Sequence, residues 1–298
     1  MKNKFFILLL GLIFSLSATA HDFYINVTQA FFKDKPKSVV VNLGWGHLVP
    51  IDDFFEGKSL KSYEIYDPTL KKANLKFDKK ANYEFEKIVA SAEADAKFPS
   101  AKIFNGDVFA NKIYFDTNAT EGVYQVAAST EKMQFSWWKD AKGRSKWDMI
   151  YLDQIKDAKE ILLCFNFQSF AKAFISYGKW VKPKLIGHDL EFLPVSDLSN
   201  VKVGDVVEFE VFFMGEPLHE IVDGMPLQIR AYSEQSEAGF IGSFVMKGKT
   251  KFKVTSSGKW VVNLSLKKLV GKDMAPELIG KSLHKGYNAS ATFFVKER

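Results

Sequence analysis

The chain has 298 residues, 41 Lys and Arg against 35 Asp and Glu, and 28 Phe, 10 Tyr and 6 Trp. Its formal charge of +6 is mild and spread along the chain, with no basic block interleaved with aromatics, which argues against a nucleic-acid partner. Cys164 is the only cysteine, so no internal disulfide can form and stability must come from packing, which this many aromatics can supply.

Residues 1–20 have the three parts of a secretory signal: Lys2 and Lys4, an apolar run over 5–14, and the small residues Ala18-Thr19-Ala20. The run is shorter than the roughly 20 apolar residues of a spanning helix. Without a cysteine near the cut, lipid anchoring is unsupported, and no later stretch has spanning length. The expected product is a soluble periplasmic protein with no stable membrane anchor. Its charge falls from +6 to +4 as two lysines and no acids are removed, and 278 residues remain for roughly two domains. Cleavage after Ala20 would leave His21 first, and such a residue offers both an α-amine and an imidazole to a metal.

Strand signals dominate after that point. Phe23, Ile25 and Val27 alternate with polar or smaller neighbours, the period-two pattern of a half-buried strand. Residues 38–43, 63–67, 74–78 and 83–89 also read as strands, and 112–116 with 122–127 as a hairpin. Short helices are expected over 88–97 and 151–160. The apolar segment 162–177 fits strand or helix equally, and Cys164 within it is expected to be buried and inert. A boundary is placed near Lys182-Pro183-Lys184. Beyond it, seven strands are expected over 190–195, 206–213, 227–232, 240–246, 250–254, 260–266 and 289–295, separated by Gly-rich turns. That number in about 110 residues suits an immunoglobulin-like sandwich. The expected fold is therefore all-β, with two β-sandwich-like domains and few short helices. A mostly-β domain over 21–183 carries the candidate site, and an immunoglobulin-like domain follows over 184–298.

The five histidines are His21, His47, His188, His219 and His284. His47 lies in Gly44-Trp45-Gly46-His47-Leu48-Val49-Pro50-Ile51-Asp52-Asp53, a specific loop after a strand, and loops on rigid sheets often carry binding residues. Asp52, Asp53 and Glu56 supply carboxylates for ligation or for orienting an imidazole. Together with the amine and ring of His21, these donors suit Ni, Cu, Zn or Co, and binding should weaken as pH falls toward 6 and the nitrogens protonate. The candidate metal residues are His21, His47, Asp22 and Asp52, with His188 and His219 as further candidates. His219-Glu220-Ile221-Val222-Asp223 looks superficially like a zinc-protease motif, but Pro217, Gly224 and Pro226 deny it the helix that motif needs. There is no nucleophile elbow and no Gly-rich phosphate loop, so no catalytic residue is expected. Asp116-Thr117-Asn118-Ala119-Thr120 fits the acidic-residue acceptor of bacterial N-glycosylation.

Further motifs carry a resemblance. Gly187-His188-Asp189-Leu190-Glu191-Phe192-Leu193-Pro194-Val195-Ser196-Asp197, then Val203-Gly204-Asp205 and Val211-Phe212-Phe213-Met214-Gly215-Glu216-Pro217-Leu218, resemble a poorly characterised family of exported bacterial proteins associated with nickel uptake. Ala20-His21-Asp22, Gly46-His47 with Pro50, Gly258-Lys259-Trp260-Val261-Val262 and residues 286–293 fit it as well. The resemblance implies a periplasmic metal-binding partner of a nickel transporter, without catalysis, using His21 and His47. His188 falls at a variable position of the family, and the membrane anchor that its nickel-associated members often carry is not expected here after the signal.

The leading expectation is a periplasmic binding protein for a divalent transition metal, nickel first, that serves a nickel transporter or outer-membrane receptor. One alternative is a copper enzyme with His21 and His47 as a histidine brace, acting on polysaccharide held by Trp137 and Trp138. The other is a non-metal β-sandwich module for binding or adhesion.

Overall fold

The computed structural model describes residues 21–28, 34–81, 106–219, 221–222, 225–236 and 239–298. The signal segment, the strand expected over 83–89 and the helix expected over 88–97 lie outside the described residues. The first half contains β1 (Asp22–Thr28), β2 (Ser38–Gly46), β3 (Leu60–Tyr66), β4 (Lys72–Asn74), β5 (Asn111–Tyr114), β6 (Gly122–Thr130), β7 (Met133–Asp140), β8 (Ser145–Asp148) and β9 (Ala158–Tyr177). After it come β10 (Leu190–Pro194), β11 (Val206–Phe213), the two-residue strands β12 (Glu216–Pro217), β13 (Ile221–Val222) and β14 (Met225–Pro226), then β15 (Gln228–Ser233) and β16 (Ile241–Phe244). β17 (Lys249–Lys253), β18 (Gly258–Leu269) and β19 (His284–Val295) complete the described strands. The helical elements among the described residues are three-residue 3-10 turns at Gly57–Ser59, Leu152–Gln154 and Pro276–Leu278. The protein is nearly all β and sandwich-like.

Three layers are stacked. The middle one is a ten-stranded sheet running β16-β15-β18-β19-β9-β6-β3-β4, with β7 and β8 attached through β9. β1-β2-β5 covers one face of it, and β10, β11, β12 and β17 form the layer on the other. The alternation of side chains along β9 shows how one strand serves both interfaces. Ala171, Ala173 and Ile175 pack with Phe23, Ile25, Val41 and Leu43 of the first layer. Phe170 and Phe174 point the other way and pack with Leu190, Phe192, Val207 and Phe209. Every residue from Cys164 to Tyr177 is consequently buried. A strand buried on both faces loses its period-two signature, which explains why 162–177 fits either element in sequence.

All seven strands expected after residue 190 are present, most within two residues at each end, while β18 runs on to Leu269 and β19 begins five residues early, at His284. β19 pairs in parallel with β9 from His284↔Phe165 to Thr292↔Ala173, so the last strand is hydrogen-bonded into the middle of the first half.

Two local expectations are corrected. Residues 151–160 do not form a helix: after the turn Leu152–Gln154 the chain enters β9 at Ala158 and pairs with β7. So short a helix has little nucleation advantage to set against sheet hydrogen bonds. Nor do 112–116 and 122–127 form a hairpin. β5 pairs with β2, whereas β6 pairs with β3 and β9, so the turn between them carries the chain from one layer to the next.

Candidate functional site

β1 and β2 are antiparallel, and their register starts at Asp22↔Gly46 and continues through Ile25↔Leu43. One step beyond the first pair, that register sets His21 opposite His47. The two imidazole centroids are 4.7 Å apart with planes at 76°. A carboxylate accompanies each ring: Asp53 Oδ2 is 3.5 Å from His21 Nδ1, and Asp52 Oδ2 is 3.9 Å from His47 Nδ1. His21 is about one third exposed, and His47 more so.

Two glycines let the strand end close on itself. The ring of Tyr24 lies across Gly44, where a Cβ would come within 2.0 Å of it. Gly46 has φ +131°, and a Cβ there would sit 1.7 Å from Asp52 Oδ1. The carboxylate fills that space and accepts the backbone N–H groups of His47 at 2.8 Å and Leu48 at 3.1 Å. The loop is tied from β1 as well. Tyr24 donates its hydroxyl to the Leu48 carbonyl at 2.5 Å, and the Asn26 amide donates to the Pro50 carbonyl at 2.7 Å. Asp53 returns to the strand by donating its N–H to the Trp45 carbonyl at 3.1 Å. Trp45 contributes an edge contact to His21 at 5.4 Å and packs on Phe55 at 4.9 Å.

Burial lowers the His21 pKa below its ordinary value of 6.5, against the pull of Asp53 and with further lowering by His47. The shift favours the neutral imidazole, the form that can ligate a metal.

Asp22 has a different role from the one its position suggests. It is buried, and its carboxylate accepts hydrogen bonds from Arg230 Nη2 at 2.9 and 3.1 Å and from the Tyr232 hydroxyl at 2.7 Å. Burial raises its pKa, opposed by Arg230 and Tyr232. The start of β1 is thereby fastened to β15. Beside it a cleft of about 210 Å³ opens, bounded by Asp22, His47, Leu48, Val49, Arg230 and Tyr232.

The remaining histidines stand elsewhere. His188 packs on Phe170, ring centroids 5.0 Å apart, on the opposite side of the middle sheet, and burial pushes its pKa down to about 4. His219 is exposed just after β12. His284 opens β19. Cys164 is fully buried beside Ser136 and Gln134. Among the described residues, no group of three or more His, Cys, Asp or Glu side chains is arranged to hold a metal ion. No helix among them is long and apolar enough to cross a membrane.

A family model described as "Domain of unknown function (DUF4198)" matches residues 18–268. The chain belongs to the DUF4198 family. That bears out the resemblance to a poorly characterised family; its description assigns no role in nickel uptake. No curated protein matches this DUF4198 chain. Among solved structures, the three N-terminal domains of the bacteriophage RB49 highly immunogenic outer capsid protein (Hoc) align with 93% of this chain and 100% of that one. Identity is 8% and the TM-score 0.19, a likeness too low to carry an argument.

For this DUF4198 protein, sequence patterns pointed to His21, His47 and the carboxylates after it. They gave no sign of Arg230 and Tyr232, which lie 208 and 210 residues from the Asp22 they engage.

Proposed function

We propose that this DUF4198 protein is a periplasmic binding protein for a divalent transition metal, nickel first, that assists metal uptake through a transporter or outer-membrane receptor. The facing of His21 and His47 across the β1–β2 register is the observation that most supports this reading. Imidazole nitrogens suit Ni, Cu, Zn and Co. Asp52 can orient the His47 ring through Nδ1, the usual outer partner of a metal-bound histidine, whereas His21 Nδ1 is the ring nitrogen that its own amine can chelate with and would exchange Asp53 for the metal. Asp22 serves the site by fixing the first residue of β1 to Arg230 and Tyr232, since its carboxylate is already engaged.

Two imidazoles form an incomplete donor set, and processing would extend it. In the full chain the His21 nitrogen is an amide. Cleavage after Ala20 would turn it into an amine that can chelate together with the same residue's ring. The ligands are then the His21 amine and imidazole and the His47 imidazole, a nitrogen-rich set on which Ni(II) and Cu(II) bind strongly.

Calorimetric Ni(II) titration of a chain beginning at His21 tests the reading. One extra glycine before His21 should weaken binding by at least about tenfold, as should His47→Ala, since even losing the hydrogen-bond partner of a ligand costs that much. Equal affinity in all three proteins would show that Ni(II) does not bind at His21 and His47. Copper-dependent oxidation of a polysaccharide with reductant present would replace the binding role with an enzymatic one.

A further inference from the structure

Four asparagines occur in the Asn-X-Ser/Thr pattern of N-glycan acceptors: Asn26, Asn118, Asn263 and Asn288. The fold separates them. Asn26 is 1% exposed in β1 and Asn263 is 3% exposed in β18. Asn288 lies inside β19, between β18 and β9, with its amide donating to Ser169 Oγ at 3.3 Å. None of these three can be lifted into a transferase without dismantling a sheet.

Asn118 is different. It is exposed, in a turn closed by the Ala119 N–H donating to the Asp116 carbonyl at 3.0 Å. This turn is the crossing from β5 in one layer to β6 in the next, so it stands clear of both sheets' pairing. Asn118 is also the only one of the four with an acidic residue two positions before it. Asp116 holds that place, which Tyr24, Val261 and Gly286 hold for the others. Asp116 is exposed as well. A shallow cleft of about 280 Å³ adjoins the turn, lined by Ile65, Ile113, Phe115 and Tyr124 among others, and offers an aromatic surface to a first sugar.

We infer that Asn118 is an N-glycan acceptor on the folded, exported chain, of the bacterial type that requires the acidic residue. The donor is an oligosaccharide linked through pyrophosphate to a lipid. The Asn118 side-chain nitrogen forms a bond to the anomeric carbon, the bond from that carbon to the pyrophosphate oxygen breaks, and lipid pyrophosphate leaves. The amide gives up one proton, and nothing is oxidised or reduced. This inference is independent of the metal reading.

The folded chain is incubated with a purified bacterial oligosaccharyltransferase and its lipid-linked oligosaccharide, then analysed by intact mass and by peptide mapping. The expected result is a single glycan on the peptide containing Asn118. Asn118→Gln should abolish it and Asp116→Ala should reduce it at least tenfold, with both variants keeping the parent's circular dichroism spectrum. An unmodified folded chain would overturn the inference, all the more clearly if a synthetic peptide spanning 112–124 is modified under the same conditions. Modification at Asn26, Asn263 or Asn288 would overturn it too.

Discussion

His188 shows how far one side chain's surroundings can shift it from its sequence-level reading. It faces Phe170 and lies near Glu191, Lys172 and Glu64. Its Nδ1 is buried without a hydrogen-bond partner. Burial outweighs the attraction of the two acids and takes the pKa from 6.5 down to about 4. The unfolded chain therefore binds a proton near pH 6.5 that the folded chain refuses until about pH 4. The stability this histidine contributes is complete above pH 6.5 and is lost as pH falls from 6.5 to 4, by up to roughly 3 kcal/mol. Denaturant titrations of the parent and of His188→Gln across this range should show the variant with the shallower loss on acidification. Parallel curves would remove His188 from the account. As a metal-ligand candidate, His188 is set aside from the His21–His47 pair by the middle sheet itself.

At the scale of elements, β9 is the strand whose environment matters most. Lys172 is buried within it, its Nζ 2.7 Å from Glu191 Oε1, and burial lowers its pKa against the pull of that carboxylate. Glu191 also accepts the backbone N–H groups of Ile186, Gly187 and His188 at 2.9, 3.1 and 3.1 Å. The partners are thus unequal. Lys172→Met leaves a carboxylate still held by three donors, whereas Glu191→Leu strands a buried amine and three N–H groups. Unfolding measurements should find Glu191→Leu the costlier by at least about 2 kcal/mol, given the cost of leaving buried donors unsatisfied. The reverse order would show that the ion pair, not the loop's hydrogen bonding, dominates. β7 illustrates another way in which a strand escapes notice: its buried positions include Gln134, Ser136 and Asp140, so alternation of burial is not alternation of hydrophobicity.

The three layers make the whole molecule depend on its shared middle sheet. Residues 21–183 alone would lack β18 and β19, leaving one edge of β9 unpaired and Val123, Phe170 and Phe174 without the back layer's apolar residues. A chain ending at residue 183 should therefore lack a cooperative thermal transition and be cleaved rapidly in limited proteolysis, whereas the chain from residue 21 to 298 should melt cooperatively. A folded, protease-resistant fragment would show that the first half has a self-sufficient core.

Several features were legible in the order of residues alone. Alternation of side-chain type marked β1, and Gly-rich turns marked the seven strands after residue 190, because both are local features of the chain; that β1 is buried on both of its faces from Asp22 to Val27 was not visible there. The two histidines of the candidate site could be singled out because an expected cleavage and a glycine-flanked loop marked them. Their facing could not. It follows from the β1–β2 register, and slips of two residues that keep the same faces inward would set His21 opposite Trp45 or Val49 instead. The role of Asp22 was equally hidden, because Arg230 and Tyr232 reach it from a strand more than 200 residues away. The same holds for the four Asn-X-Ser/Thr sites, which local sequence leaves alike except for Asp116. Local sequence determines periodicity, turn chemistry and donor type. Which faces are buried, which strands are neighbours and which side chains remain exposed are decided by long-range packing, and those are the terms that arrange the site.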